Sequence, residues 1–372
     1  MSSLELFASA PPGTSAITAR ELESLGIVAG EVLPDGVLFR GGHDVVQTTN
    51  LWLRTANRIA ARMGTFRART FAELERHAAV LDWRAFVEAG GPAGFRVTAR
   101  KCRLYHTGAI AERLARVADV RPDGADGLDA AAGGSQLFIV RGIRDEWQVS
   151  ADTSGAHLHQ RGYRLATAKA PLRETLAAAV VIASGWDRAS PLVDPFCGAG
   201  TICIEAALLA LGRAPGAERA FRFTRWPAFA PGAGNAADAG SAAVAGKAAA
   251  APSVHGYDRD AGAVQAAMSN AQRAGVTDAV VLRQQSLSAF QPPADKGWIV
   301  ANPPYGVRVG ESGDLRNLYA RFGALMRERC RGWVVAFLSA DPLLERATGL
   351  RLETVLRTEN GGLPVRLMVA EP

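Results

Sequence analysis

Along the second half of the chain, short apolar runs alternate with longer stretches of helical period. Leu192-Val193-Asp194, Ser253 to Tyr257, Ala279 to Leu282, Trp298-Ile299-Val300 and Trp333 to Leu338 read as strands. Leu172 to Ser184, Thr201 to Leu211, Ala261 to Ala274 and Leu315 to Arg331 read as the helices between them. Strictly alternating strands and helices predict an open, mostly parallel sheet covered by helices on both faces. The stretch Ala228 to Ala251 interrupts this rhythm with Ala, Gly, Asn, Asp and Ser, and carries too little apolar surface to order itself. It is expected to be a surface loop inside the second domain.

The first half is mixed. Leu4 to Ser9 and Val37 to Phe39 are strand candidates, and Phe95 to Arg100 alternates as a strand does. Thr14 to Leu25 has helical spacing and ends at Gly26, a natural C-cap. Thr107 to Val120 predicts a basic amphipathic helix, and Gln136 to Ser150 a hairpin around Gly142 to Asp145. Asn50 to Met63 also predicts a helix, with Leu51, Leu53, Ile59 and Met63 inward and Arg54, Arg58 and Arg62 stacked on another face.

A length of 372 residues accommodates two domains, and 48% apolar with 21% charged residues is the balance of a soluble globular protein. No run of about 18 apolar residues appears and the N-terminus lacks a basic, then apolar, leader, so no membrane span and a cytoplasmic location are expected. Four scattered cysteines with no histidine cluster predict neither a disulfide framework nor a metal site. The net charge of +6 is uneven. Residues 54 to 116 hold thirteen Arg or Lys against five acids, whereas residues 1 to 53 hold two against six, so the positive field sits in one segment. A localised basic surface suits nucleic acid, and it also suits an ordinary solvated face.

Three short constellations carry chemistry. Asp194-Pro195-Phe196-Cys197-Gly198-Ala199-Gly200-Thr201 lies between a strand and a helix. Glycines there let backbone approach a ligand, and the free N–H groups of the helix start favour a carboxylate or phosphate. Cys203 stands where the third glycine of a dinucleotide fingerprint belongs, so a nucleotide-like ligand bearing a carboxylate fits better than a pyrophosphate. Asp258 ends the next strand, where an acid accepts from ribose hydroxyls, while Asp260 is placed to cap the following helix. Asn302-Pro303-Pro304-Tyr305 follows Trp298 to Ala301. An amide oxygen and a proline carbonyl held rigidly can accept from one planar N–H₂ group, and Tyr305 offers a face for a base.

Together these residues resemble the class I S-adenosylmethionine-dependent methyltransferases that modify exocyclic nitrogens. The resemblance narrows to the THUMP-domain RNA methyltransferases through Leu158 to Arg164, Ala170 to Ala178, Ser184-Gly185-Trp186, Phe223 to Pro227, Leu318 to Gly323 and Asn360 to Leu363. At the front it continues through Leu6 to Ser9, Asn50 to Arg58 and Leu104 to Thr107. It implies an α/β chain: a ferredoxin-like region over 1–60, a THUMP RNA-binding domain over 61–165 and a Rossmann-like class I methyltransferase domain over 166–372. It implies S-adenosylmethionine as cofactor, held by Pro171, Glu174, Asp194, Phe196, Gly198, Gly200, Thr201 and Asp258. The family's acid after the third strand is missing, and Ser286 is its positional equivalent. Asn302, Pro303, Pro304 and Tyr305 are the implied catalytic set. Arg54, Arg58, Arg100, Lys101 and Arg103 are the expected RNA contacts, with no metal, membrane or obligate protein partner. The implied reaction is guanine-N2 methylation of structured RNA, with 23S ribosomal RNA first, tRNA second and adenine-N6 methylation of DNA third.

Overall fold

The computed structural model describes residues 3–123, 135–165, 172–229, 253–305 and 312–372. Pro171 and residues 230–251 of the Ala/Gly-rich stretch lie outside them. The front half is one eight-stranded sheet: β1 (Leu4–Ser9), β2 (Ala29–Leu33), β3 (Gly36–Gly41), β4 (Arg58–Arg67), β5 (Pro92–Arg100), β6 (Arg121–Pro122), β7 (Gln136–Ile143) and β8 (Glu146–Asp152), in the order β2-β3-β1-β4-β8-β7-β5-β6. Helices α1 (Ser15–Ser24), α2 (His43–Trp52), α3 (Phe71–Ala78) and α4 (Thr107–Val117) belong to this half. β4 pairs with β1 on one side and β8 on the other. The sheet therefore runs unbroken across residue 60.

The helix expected over Asn50 to Met63 is not there. α2 stops at Trp52, Leu53 turns extended (φ −67°, ψ 118°), and β4 begins at Arg58. The i, i+4 spacing of three arginines is satisfied by a different arrangement. Arg54 and Arg58 are 3% and 5% exposed, and Arg62 binds Glu5 at 3.2 Å. Burial removes Arg54 and Arg58 from any RNA-facing surface, which corrects the contact role expected of them. Arg58 instead meets Asp152 at 2.8 Å.

The second half is a seven-stranded sheet of β9 (Leu192–Asp194), β10 (Val254–Asp258), β11 (Val280–Gln284), β12 (Trp298–Ala301), β13 (Val334–Ser339), β14 (Glu353–Asn360) and β15 (Leu363–Ala370). Its order is β11-β10-β9-β12-β13-β15-β14, parallel except for the closing β14–β15 hairpin. Successive residues serve opposite faces. Leu192, Val300, Ala336 and Leu338 pack under α5 (Glu174–Ala183), α6 (Thr201–Ala210) and α7 (Ala261–Arg273). Val193, Ile299, Val335 and Phe337 pack under α8 (Ser312–Arg329) and α9 (Pro342–Ala347). Among the described residues no helix is long and apolar enough to cross a membrane.

The two halves interlock. After α6 the chain crosses to the front half, where Phe221, Phe223 and Trp226 complete its core. Trp226 meets Phe86 edge-on at 4.8 Å and donates its indole N–H to Gln136 at 3.0 Å. In return Ile17 of α1 joins the core beneath α5. Asp152, fully buried, binds Arg58 of its own half and Arg222 of the crossing segment at 2.9 Å. It also accepts the backbone N–H groups of Ser154 and Gly155. Asp152→Ala strands two buried guanidiniums and should cost about 3–5 kcal/mol. Because the cores are shared, urea unfolding of wild type and variant is expected as a single transition; a separate early transition of either half would contradict the interlock.

Candidate active site

Parallel register does most of the positioning. β9 is flanked by β10 and β12, with Gly256 opposite Asp194, and Val193 opposite Ile299. Asp258 and Asn302 therefore leave their strands two residues beyond the level of Asp194, on either side of it. Neighbouring strands lie about 4.8 Å apart. This is the switch point of the sheet, where strand order reverses and the carboxyl ends open a crevice. The register thus brings Asp194, Asp258 and Asn302 to adjacent strand ends.

The turn after Asp194 is built by backbone bonds. Phe196 N–H donates to Asp194 Oδ1 at 3.0 Å and Gly198 N–H to Asp258 Oδ2 at 3.0 Å. Gly200 has φ +83°, and a Cβ there would sit 3.0 Å from that of Ala267. Gly256 is needed for a second reason: a Cβ would lie 2.8 Å from Cys203 Sγ and 2.6 Å from Leu282 Cδ2. Cys197 of the turn and Cys203 of α6 are thus packing residues, with thiols pushed up in pKa by burial. Asn270 of α7 was not foreseen; it is fully buried and donates to Ala199 O at 3.0 Å, holding the turn from behind. Thr201, buried, opens α6, and Phe196 packs at 5.9 Å on Phe322.

Burial of one acid dominates the electrostatics of the crevice. Asp194 is 1% exposed, and burial pushes its carboxyl up to about 8; the Phe196 N–H opposes this and the charge of Asp258 adds to it. Asp258 also accepts Asp260 N–H at 2.9 Å. Asp260 caps α7 through Gly262 and Ala263, as its position foretold. Ser286 is exposed beyond β11, its hydroxyl 3.0 Å from that of Ser288, while Gln285 N–H donates to Asp258 O. Glu174 has one oxygen paired and the other, Oε2, buried without a hydrogen-bond partner among the described residues. Burial raises it to about 7, and Arg164, at 3.0 Å, is its ion-pair partner.

Asn302 Oδ1 is sealed from solvent with no hydrogen-bond partner among the described residues. An acceptor left bare this way costs about 1–3 kcal/mol, which a donor from a bound ligand would recover. Pro303 is buried and Pro304 exposed. The Tyr305 hydroxyl accepts from Asn360 Nδ2 at 2.8 Å, so the hairpin end of β14 fixes the tyrosine. The sequence showed Asn360 only as part of a motif; its contact depends on a β14–β15 hairpin that short-range pattern did not predict.

Residues 161–367 match the family described as UPF0020, RMKL-like, methyltransferase domain, and residues 5–60 match the RlmL ferredoxin-like domain. A Synechocystis protein, slr0064, provisionally named an RNA methyltransferase, is 32% identical over 98% of this chain and 96% of its own length. The ribosomal RNA large subunit methyltransferase K/L of Ectopseudomonas mendocina is 33% identical over 98% of this chain, which spans only 52% of that protein. SMU.472, provisionally named a methyltransferase and crystallised with S-adenosylhomocysteine, superposes with a TM-score of 0.84 at 30% identity, covering 100% of this chain and 98% of its own. A Listeria monocytogenes protein crystallised under the name predicted N6-adenine-specific DNA methylase gives 0.86 at 31%, covering 99% and 96%. S-adenosylhomocysteine is S-adenosylmethionine less its methyl. A buried acid that an ammonium group would ionise, a glycine turn open to close approach and a ribose-competent acid fit that cofactor. The family match over more than half of the chain agrees with this, and so the chain belongs to the RMKL-like family of S-adenosylmethionine-dependent methyltransferases, with an RlmL-type ferredoxin-like domain at its front.

Proposed function

We propose that the chain methylates the exocyclic N2 of a guanine in structured RNA, with 23S ribosomal RNA the first candidate and tRNA the second. The observation that carries the reading is the bare, buried Asn302 Oδ1 beside the Asp194 strand end. Two relatives named for RNA, one of them for ribosomal RNA, support the substrate class. The basic excess of residues 54 to 116 supports it too, and residues 61–165 are read as the THUMP domain that grips RNA by shape and backbone. The exposed Arg100, Lys101 and Arg103 remain its proposed contacts. The division into 1–60, 61–165 and 166–372 belongs to this same reading. Adenine-N6 methylation of DNA is the second reading, favoured by the name of the Listeria neighbour. Asn302 serves either planar amine.

When bound, S-adenosylmethionine supplies an electrophilic methyl on a sulfonium. The chain's part is to hold and polarise. Asn302 Oδ1 and the Pro303 carbonyl accept the two amino hydrogens of a flipped base, which draws the nitrogen toward tetrahedral geometry and localises its lone pair. Tyr305, pinned by Asn360, offers the stacking face. The proton leaves after transfer, so no base of tuned pKa is needed.

Asn302→Ala should abolish transfer while leaving cofactor affinity within about twofold, since it meets only the amine; unchanged turnover would remove the amino-group role. Nucleoside mass spectrometry of ribosomal and transfer RNA from a strain lacking the gene should show one N2-methylguanosine missing; loss of N6-methyladenine from DNA instead would favour the second reading. Asp194 titrates near 8 in the free protein. An ammonium group beside it would draw that value down, so cofactor affinity should rise with pH toward about 8 and fall above it, where the α-ammonium loses its own proton. Calorimetry at pH 7 in buffers of different ionisation heat should detect proton release on binding, and Asp194→Asn should abolish it.

A further inference from the structure

Five non-glycine residues adopt left-handed backbone among the described residues, and three of them meet at one place: Lys101 (φ 56°), Arg144 (φ 53°) and Asp145 (φ 67°). Strain of this kind costs energy and persists only where surrounding bonds enforce it. Here Asp145 enforces it. Its carboxylate accepts Arg103 N–H at 2.7 Å and Arg69 Nε at 3.2 Å, and its own N–H donates to Cys102 Sγ. Arg144 N–H donates to Arg100 O at 3.0 Å, stitching the β7–β8 turn to the end of β5. The loop so held presents Tyr105, 67% exposed and the only aromatic among the large exposed apolar side chains of the described residues. Its ring lies 4.2 Å from that of His106. On this loop, and on the residues bonded to it, Arg69, Arg100, Lys101, Arg103 and Arg144 are all exposed. α4 starts immediately after His106, whose side chain makes no capping bond.

We propose that Tyr105 and His106 form a stacking platform for an unpaired base of the RNA substrate, with the flanking cations and the open start of α4 taking its phosphate. The chemistry matches a nucleotide on both counts: a π-face for a base of any identity, and positive charge with free N–H groups for a phosphate. A protein partner would want apolar area, and among the described residues of this loop and the strand end paired with it only Ile143, 43% exposed and opposite Arg100, adds any. A duplex alone would leave the platform unused, because its bases are already stacked. The substrate class is therefore a folded RNA with an unpaired stretch next to a helix. Asp145 is the positioning residue. This deepens the RNA reading and rests on it.

The test uses the full chain and two fluorescein-labelled RNA hairpins, one blunt and one with a short unpaired tail, in anisotropy titrations at constant salt. Wild type should bind the tailed hairpin about tenfold more tightly, the worth of one stacked base. Tyr105→Ala should bring the tailed hairpin to the blunt level, Tyr105→Phe should keep the preference, and Arg103→Ala should weaken both hairpins alike. Unchanged S-adenosylmethionine affinity verifies that each variant is folded. A tail preference that survives Tyr105→Ala, or its absence in wild type, overturns the platform and leaves the RNA reading standing. Failure of wild type to bind either hairpin overturns the RNA reading and the platform with it.

Discussion

A fully buried carboxylate held between two guanidiniums fixes how the front sheet sits on the catalytic sheet. Asp152 takes Arg58 from one half and Arg222 from the other. Charges buried in this way add little stability over an apolar seam of equal volume, yet breaking such a set is expensive. What it supplies is discrimination: any other seating of the sheets leaves a bare charge out of water. Arg54 reinforces the seam, donating to Leu208 O and Arg213 O at the far end of α6 while Arg161 donates to Arg54 O. Burial lowers Arg54 to about 10, still charged at neutral pH.

That rigidity matters because the crevice at the sheet's switch point is assembled from backbone register, with few side-chain bonds to adjust it. Asp194 illustrates the compromise. Its folded pKa of about 8 stands above the ordinary 3.8, so the folded chain holds the proton more tightly than the unfolded one. The contribution of this group to stability therefore falls as pH rises between those values. Asn302 repeats the pattern with an acceptor that nothing in the described chain satisfies. Both departures from good folding practice are what a ligand-binding site is expected to show.

The catalytic half was readable because its elements are local and strongly periodic. Leu192 to Asp194 and Ala261 to Arg273 fall within a residue of the pattern, and Asp260 caps as its spacing required. The acidic and amide positions at strand ends were readable from the same alternation. The front half was less so. β4 is buried on both faces over Arg58 to Ala61, which erases the period-two signal, and its arginines satisfy a helical spacing only by coincidence. Asp152, the true partner of Arg58, is nearly a hundred residues away, and Glu5, that of Arg62, more than fifty, both beyond the reach of any local rule. Asn270 and Asn360 escaped for the same reason: each is ordinary in its own helix or hairpin and acquires meaning only through a distant backbone or hydroxyl.

The exchange of Phe221, Phe223 and Trp226 into the front core also bears on how the chain is born. Synthesis proceeds from the N-terminus, and elements usually fold as they emerge. Here the ribosome has delivered all eight strands of the front sheet by Asp152, yet three of the aromatic rings that fill its core follow some seventy residues later. During that interval an apolar hollow is open to the cell. The front core of this architecture is therefore completed only after Trp226 has left the exit tunnel, well after its last strand has been made.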